Sequence, residues 1–311
     1  MIIVGDAVEQ LRLLPDQIVQ TCVTSPPYWG LRDYGVDGQI GLEESIEEFL
    51  ARLVEVFREV SRVLKPDGTL WVNMGDSYIS SRSGMQGKTG VRKGRTFTAK
   101  TIDKSSSGLK PKDLAGVPWR LAFALQNAGW FLRSDIVWAK PNVIPESIKD
   151  RPCRAHEYIF LFAKQRHYFY DHDAIREPYS LKSLERLKTP MQDTCNRLSG
   201  RQPGRKYQVA GEGYAPNPLG RNKRDVWTVP TQSFKDAHFA TFPPDLIKPC
   251  ILAGSRPNDI VLDPFFGAGT TGLVAVAHRR NYIGIELNPD YAEIARKRIN
   301  EATRQQVLCL E

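Results

Sequence analysis

The sequence lacks the features that mark membrane, exported and metal-binding proteins. No run approaches the eighteen or so apolar residues that a membrane helix needs, and the N-terminus shows no basic region followed by an apolar export signal. The five cysteines are scattered, odd in number and without CxxC or Cys/His spacing. We therefore expect a cytoplasmic protein with reduced thiols, no membrane association and no metal site.

Acidic residues are almost missing from one segment, and this segment accounts for the charge of the chain. The 311 residues carry a formal net charge of +8. Residues 80–112 hold nine Lys and Arg against the single acid Asp103. A segment so rich in cations, Gly, Ser and Thr is either a solvated flexible loop or a contact for a phosphate backbone that becomes ordered on binding.

The predicted elements follow the order of an α/β protein. Short strands alternate with helical patterns near both ends of the chain, and the apolar spacing over Ile46 to Leu64 is close to the helical period. KPDG at 65–68 ends this helix before a strand that starts at Thr69. Such alternation predicts a doubly wound, mostly parallel sheet. Residues 171–236 have weak periodicity, which indicates a small domain or a long excursion.

A glycine-rich turn follows one predicted strand and opens a helix. DPFFGAGTTG, residues 263–272, contains a GxGxxG pattern. Backbone N–H groups at such a turn, together with the helix dipole, form a cradle for a small ligand. No lysine precedes Thr270, which excludes a P-loop. A glycine-capped helix start that binds nothing is the alternative.

Carboxylates around this turn favour a cationic adenosine cofactor over NAD. Glu286, nineteen residues after Gly267, is suited to bind ribose hydroxyls from the end of the next strand. Asp263 at the mouth of the turn would repel a pyrophosphate, whereas it suits the α-ammonium and sulfonium groups of S-adenosylmethionine. Asp6, which follows the first strand, is a candidate contact for the adenine amino group.

A second motif, SPPY at residues 25–28, stands where an early strand is predicted to end. The two prolines force an extended exit from the strand, which exposes hydrogen-bond acceptors. The Ser25 hydroxyl and a proline carbonyl would hold both protons of an exocyclic base amine, while Tyr28 offers a stacking face. The lone pair of the amine is then free to attack a sulfonium methyl group. A Pro-Pro turn beside a core tyrosine is the alternative.

Together the two motifs resemble those of the amino-methyltransferases of DNA, and their order is similar to that of the β group. The resemblance covers nearly the whole chain apart from 80–112 and 171–236. It implies a Rossmann-like, S-adenosylmethionine-dependent methyltransferase fold that acts on a flipped base. The implied catalytic residues are Ser25, Pro26, Pro27 and Tyr28. The implied cofactor-binding residues are Asp6, Asp263, Pro264, Phe265, Gly267, Gly269, Thr270 and Glu286, with His238, Phe239, Thr241 and Phe242 as pocket walls or simple packing residues.

The resemblance also implies a division of the chain. Residues 1–170 and 237–311 would form the catalytic domain, with 80–112 as a basic DNA-contact loop within it, and residues 171–236 would form the target-recognition region. Candidate DNA contacts are Trp29, Arg82, Lys88, Arg92, Lys93, Arg95, Lys140, Arg197, Arg201, Arg205, Arg221, Lys223 and Arg224. Trp29 has core packing as its commoner alternative, and Lys140 lies where the family keeps loop residues near the active site.

The leading hypothesis is methylation of an exocyclic amine in double-stranded DNA, at cytosine N4 or adenine N6. Serine at the first motif position is more common among cytosine-N4 enzymes, although the chemistry permits both bases. A methyltransferase acting on RNA or on a protein amide nitrogen is the main alternative, and the basic segment favours nucleic acid. An inactive DNA-binding module and a dehydrogenase are further alternatives. The β-group resemblance suggests a homodimer.

Overall fold

The structure is a computed structural model that describes residues 1–31, 33, 35–79, 108–188, 217–232 and 242–308, together with the backbone of two short strands at 89–92 and 95–98. The chain divides into two compact units. The larger unit comprises Met1–Asp171 and Asp225–Glu311, and the smaller unit is His172–Arg224.

The larger unit is built on a sheet whose eight described strands have the order β1-β10-β9-β2-β3-β7-β6-β8. Five of its seven neighbouring pairs are parallel, and β7 runs antiparallel to both β3 and β6. The strands are β1 Ile2–Val4, β2 Val19–Thr24, β3 Leu64–Met74, β6 Phe131–Ala139, β7 His156–Ala163, β8 Val226–Thr228, β9 Ile260–Asp263 and β10 Asn281–Glu286, while β4 Thr89–Arg92 and β5 Arg95–Thr98 pair separately.

Helices cover both faces of this sheet. Right-handed crossovers place α1 and α2 on one face and α6 on the other, where α1 packs on α2, α2 on α3, α5 on α6, and α6 on α7. The helices of the larger unit are α1 Ala7–Arg12, α2 Ile46–Val63, α3 Val117–Asn127, α5 Pro244–Gly254, α6 Thr270–Ala277 and α7 Pro289–Leu308. The predicted doubly wound, mostly parallel sheet is therefore confirmed.

Helix α2 shows how the sequence pattern produces this packing. The Ser45 side chain accepts a hydrogen bond from the Glu48 N–H and caps the first turn. The helix then presents one apolar stripe to the sheet, formed by Ile46, Phe49, Leu53, Val56, Phe57, Val60 and Val63, all of them buried. Because every residue of β2 is also buried, the strand that leads to SPPY is fixed inside the core.

Three stretches differ from their predicted local structure. Strand β3 begins at Leu64 rather than Thr69. Val19 of β2 pairs with Leu64 and Thr21 pairs with Thr69, and the KPDG residues form the irregularity between these two pairs. Within the basic segment, β4 and β5 form an antiparallel ladder rather than only irregular loop. Strand β8, from the range 171–236, pairs in parallel with β6 at the edge of the large sheet. It was not predicted because a strand of three residues is too short to show an alternating pattern in the sequence.

The smaller unit contains a 3₁₀ turn at Asp173–Ile175 and helix α4, Leu181–Lys188. Its described residues include an antiparallel bridge between Glu177 and Arg221. The unit lies within the region predicted to recognise the target, and that role stays a prediction.

We expect Gly284→Ala to destabilise the large sheet. Gly284 lies in β10, and the Phe266 ring packs directly over it, so that a Cβ would lie 2.3–2.5 Å from three ring carbons. The clash should lower the free energy of unfolding by about 1–3 kcal/mol, measured from urea denaturation. Phe266→Leu in the same chain should recover part of this loss. An unchanged unfolding midpoint for the single variant would contradict the packing described.

Candidate functional site

The site lies where the winding direction of the sheet reverses. Strands β2 and β9 are parallel neighbours in the middle of the sheet. From β2 the chain continues to β3 toward one edge of the sheet, whereas from β9 it continues to β10 toward the opposite edge. Ligands in such sheets bind beyond the carboxyl ends of the strands at this switch point. SPPY follows β2 and the glycine turn follows β9, so the fold brings both motifs to one edge.

A single cavity at this edge is lined by residues of both motifs. The predicted residues in its wall are Asp6, Ser25, Pro26, Pro27, Tyr28, Phe242, Asp263, Pro264, Phe265, Gly267, Thr270 and Glu286. Gly269 is absent from the wall. His238, Phe239 and Thr241 lie outside the described residues. The structure thus collects twelve predicted residues from five separate segments of the chain around one space.

The glycine turn depends on left-handed backbone at two positions. Gly267 has φ 51° and Gly269 has φ 78°, and Gly269 also caps α6. A Cβ on Gly269 would lie 2.7 Å from the Cβ of Ala295. Gly269 therefore allows the turn to pack on α7, and its predicted contact with the cofactor stays a prediction. At Gly267 the nearest atom to an added Cβ is 4.0 Å away, so this glycine faces open space.

Glu286 joins the end of β10 to the glycine turn. Its carboxylate accepts hydrogen bonds from the Gly267 N–H at 2.7 Å and from the Asn288 N–H at 2.9 Å. Burial raises the pKa of Glu286 above its ordinary value. The side chain therefore lies between the turn and α7, at the position from which the sequence predicted contact with a ribose.

Asp6 occupies the corresponding position after β1. One of its carboxylate oxygens caps α1 by accepting hydrogen bonds from the Val8 and Glu9 N–H groups at 2.9 and 3.1 Å. Strand β1 is the neighbour of β10, and the Gly5 N–H donates to the Glu286 carbonyl oxygen at 3.0 Å. Asp6 and Glu286 are consequently held at the same edge of the sheet.

Asp263 is a buried anchor between the two motifs. Thr24, the last residue of β2, donates to its Oδ1 at 2.6 Å, and Thr271 of α6 donates to Oδ2 at 2.7 Å. The Phe265 N–H also donates to Oδ1 at 3.0 Å. Asp263 is only 2% exposed, and burial raises its pKa to about 6 although all three donors oppose the shift.

Tyr28 also lines the cavity. Its hydroxyl donates to Glu157 Oε2 at 2.8 Å. Burial and the neighbouring carboxylate raise the pKa of the phenol well above its usual range, so it stays protonated. Nothing in the sequence pattern singled out Glu157, which lies 129 residues further along the chain and is brought to the site only by the antiparallel course of β7.

Two predicted DNA contacts have side chains held inside the protein. Trp29 is 1% exposed and its indole N–H donates to the Glu43 carbonyl oxygen at 3.0 Å, so it packs in the core, which was its commoner alternative. Lys140 donates to Glu157 and lies over the Trp138 ring at 4.2 Å. A DNA contact by either residue stays a prediction.

The remaining cationic residues are described in part. In the smaller unit, Arg221, Lys223 and Arg224 lie 3.3–3.5 Å from the Glu177 carboxylate. Burial opposes ionisation of Glu177, but the neighbouring cations outweigh it and hold its pKa below the usual value. Arg92 and Arg95 are paired residues of the β4–β5 ladder. The predicted contacts Arg82, Lys88, Lys93, Arg197, Arg201 and Arg205 lie outside the described residues.

Several cavity residues were not predicted. They flank Asp6, follow SPPY, lie within the glycine turn or follow Glu286, and they are Gly5, Ala7, Leu31, Val36, Gly38, Gln39, Ile40, Phe266, Ala268, Leu287, Asn288 and Tyr291. Leu287, Asn288 and Tyr291 could have been predicted, because they follow Glu286 closely in the sequence.

Within the described ranges no group of His, Cys, Asp and Glu is arranged to hold a metal ion, and no helix there is long and apolar enough to cross a membrane.

The fold and the site define a methyltransferase of the S-adenosylmethionine-dependent class, and the chain matches the family model described as DNA methylase, N6_N4_Mtase, over residues 19–297. It is 50% identical over 295 residues to the Type II methyltransferase M.Cfr9I of Citrobacter freundii, across 95% of this chain and 86% of the relative. The chain therefore belongs to the N6/N4 DNA methylase family, as its motifs predicted.

Solved structures agree with this assignment. The putative DNA modification methylase TTHA0409 from Thermus thermophilus, in complex with S-adenosyl-L-methionine, is 27% identical with a TM-score of 0.57, across 97% of this chain and 93% of that one. The PvuII DNA methyltransferase shares the fold at 20% identity and a TM-score of 0.64, across 98% and 91% of the two chains. The predicted cofactor, S-adenosylmethionine, is thereby confirmed for the family.

We expect Asp263→Asn to change how stability depends on pH. With a folded pKa of about 6 against an unfolded value near 4, the folded state holds a proton that the unfolded state has lost between these values. Asp263 therefore contributes stability below about pH 4 that is lost as the pH rises through 6, by up to about 3 kcal/mol.

The variant should lack this part of the pH dependence, since an amide does not titrate. Denaturant unfolding at several pH values between 4 and 7 measures the difference between the two proteins. Asp245→Asn, at an exposed position at the start of α5, is the control. Parallel stability curves for wild type and Asp263→Asn would contradict the raised pKa.

Proposed function

We propose that this protein transfers a methyl group from S-adenosylmethionine to the exocyclic N4 amine of a cytosine flipped out of double-stranded DNA. The observation that carries the proposal is the single cavity shared by Ser25-Pro26-Pro27-Tyr28 and the turn Asp263–Gly267. The serine at position 25 favours cytosine over adenine, because serine is commoner at this position among cytosine-N4 enzymes.

The residues of the cavity fit the cofactor. S-adenosylmethionine, when bound, supplies an electrophilic methyl group on a sulfonium centre. We propose that Glu286 accepts hydrogen bonds from ribose hydroxyls and that Asp6 accepts one from the adenine amine. Asp263 is only 2% exposed, so we propose that its contribution is the negative charge that favours a cationic ligand nearby, together with the shape of the turn. Gly267 leaves the space beside the turn open.

The SPPY residues act on the base. The Ser25 oxygen and a proline carbonyl accept the two amine protons, which draws nitrogen toward a tetrahedral shape and frees its lone pair for attack. The Tyr28 ring stacks on the base and sets the direction of that attack. As the new N–C bond forms, the methyl group leaves sulfur and the nitrogen releases one proton to solvent.

Base flipping is part of the proposal because the amine of a stacked cytosine is out of reach of a cavity enclosed by the sheet edge. Arg221, Lys223 and Arg224 lie together around Glu177, and clustered cations of this kind suit a DNA backbone. We further propose that the basic segment 80–112 contacts DNA and that residues 171–236 recognise the target sequence. We also propose that the protein forms a homodimer.

We expect the purified protein to convert deoxycytidine in duplex DNA to N4-methyldeoxycytidine. The test is to digest DNA methylated by the protein and to identify the modified nucleoside by mass and chromatographic retention. N6-methyldeoxyadenosine would move the proposal to the other base of the family. C5-methyldeoxycytidine as the only product would overturn the mechanism, since carbon methylation does not use an amine lone pair.

Ser25→Ala should lower kcat by roughly 10²–10³-fold, the usual cost of removing one hydrogen-bonding group that stabilises a transition state. Affinity for S-adenosylmethionine should be retained, because Ser25 is proposed to hold the base and not the cofactor. Single-turnover methyl transfer and calorimetric cofactor titration measure the two quantities. A variant that loses cofactor binding in proportion to activity would contradict the assigned role.

A further inference from the structure

A flipped cytosine presents more hydrogen-bonding groups than SPPY binds. Beside the N4 amine, the Watson–Crick edge of the base carries an acceptor at the ring nitrogen N3. In the proposed chemistry Ser25 and a proline carbonyl accept the two amine protons, so neither of them donates to N3. An acceptor that leaves water without gaining a donor costs free energy. The cavity therefore needs a donor close to SPPY that reaches the ring nitrogen.

Few described side chains of the cavity wall carry an N–H or O–H donor. They are Ser25, Tyr28, Gln39, Thr270, Asn288 and Tyr291. The Tyr28 hydroxyl donates its proton to Glu157. Thr270 opens α6 directly after the glycine turn. Asn288 and Tyr291 follow Glu286 around the start of α7, where the cofactor is proposed to bind. Among the described wall residues, Gln39 is therefore the donor that remains for the base.

Backbone contacts place Gln39 on the SPPY side of the cavity. Gly41, two residues further on, accepts a hydrogen bond from the Gly30 N–H at 2.8 Å. A Cβ on Gly41 would lie 3.2 Å from the Tyr28 carbonyl oxygen and 3.5 Å from the Pro27 Cβ. Gln39 is only 8% exposed, although the residue before it is exposed. Its side chain therefore lies inside the protein, in the wall beside SPPY.

Helix α2 holds the backbone on both sides of Gln39. Arg52 of α2 donates to the Gly38 carbonyl oxygen at 3.1 Å and to Glu43 Oε1 at 3.3 Å. The other oxygen of Glu43 accepts a hydrogen bond from the Gly41 N–H at 2.8 Å. Gly38 and Gly41 both have left-handed backbone, with φ 81° and 107°. The position of the Gln39 side chain is thus set before a base enters the cavity.

We propose that Gln39 binds the flipped cytosine by donating an amide N–H to the ring nitrogen N3. The inference rests on the proposed function and adds a base-binding residue to it. A glutamine amide carries two N–H donors and one acceptor oxygen, so it can bond within the protein and still donate to a base. The bond fixes the ring while SPPY holds the amine. Thymine is rejected, because its N3 carries a proton that would face the donor.

Gln39→Leu tests this inference on the full-length protein, because leucine keeps the size of the side chain without its donor. The variant should lower kcat/KM for methyl transfer to duplex DNA by roughly 10- to 100-fold. The dissociation constant of S-adenosylmethionine should stay unchanged. Gln126→Leu is the matched control, since Gln126 is exposed on α3 and is not part of the cavity wall. It should retain full activity.

A change in the DNA removes the same hydrogen bond from the other side. The target cytosine, located by sequencing DNA that the protein has methylated, is replaced with 3-deazacytosine, which has a C–H in place of N3. On this DNA the ratio of wild-type to Gln39→Leu rates should fall to near one, because neither protein can make the bond. Comparing two proteins on one DNA cancels the effect of the analogue on the reactivity of the amine.

If Gln39→Leu fails to fold, Gln39→Glu decides. A carboxylate cannot donate to N3, whereas a protonated carboxyl group can, so the activity of this variant relative to wild type should rise as the pH falls.

A rate ratio that persists on 3-deazacytosine would overturn the inference, as would a Gln39→Glu variant whose relative activity is independent of pH. Weaker binding of S-adenosylmethionine by Gln39→Leu would assign the residue to the cofactor and overturn it too. A wild-type protein that transfers no methyl group to DNA would overturn the proposed function and this inference together. An active wild type with an unaffected Gln39→Leu variant would overturn this inference alone.

Discussion

The site depends on one buried carboxylate that joins two distant parts of the chain. Thr24 immediately precedes SPPY, Thr271 stands at the start of α6, and both donate their hydroxyl protons to Asp263. A third donor, the Phe265 N–H, closes the glycine turn on the same side chain. Burying a carboxylate is costly unless its oxygens are hydrogen-bonded. The pairing therefore fixes the distance between SPPY and the glycine turn more firmly than strand pairing alone.

The parts of the molecule that could be predicted from sequence are those in which local residues carry the information. Pro26 and Pro27 restrict their own backbone, and the glycines of the turn supply left-handed conformations wherever the fold places them. The apolar stripe of α2 identifies its buried face by spacing alone. Parallel strands then bring their carboxyl ends to one edge, so the meeting of the two motifs followed from the order of the elements.

The features that could not be predicted from sequence are side-chain surroundings that distant segments provide. Trp29 adjoins the motif, but its direction is decided by the chain near Glu43, which provides the carbonyl oxygen for its indole. Lys140 follows β6 in the manner of a surface cation, yet it donates to Glu157 of the neighbouring strand β7 and lies over the ring of Trp138 in β6. Glu157 itself was missed, because an acidic residue at the start of a strand has no local pattern that points to a tyrosine 129 residues earlier.

The antiparallel direction of β7 determines which of its residues lies next to the site. A parallel strand delivers its carboxyl end to this edge, and the residues that reach the cavity then belong to the loop that follows. Strand β7 delivers its beginning, and Glu157 lies opposite Trp138 within the regular β6–β7 ladder, next to the pairing of Tyr158 with Met74 of β3. Pairing with β6 fixes its backbone, and its carboxylate accepts the Tyr28 hydroxyl proton. The partner of this cavity residue thus has the positional accuracy of a regular sheet.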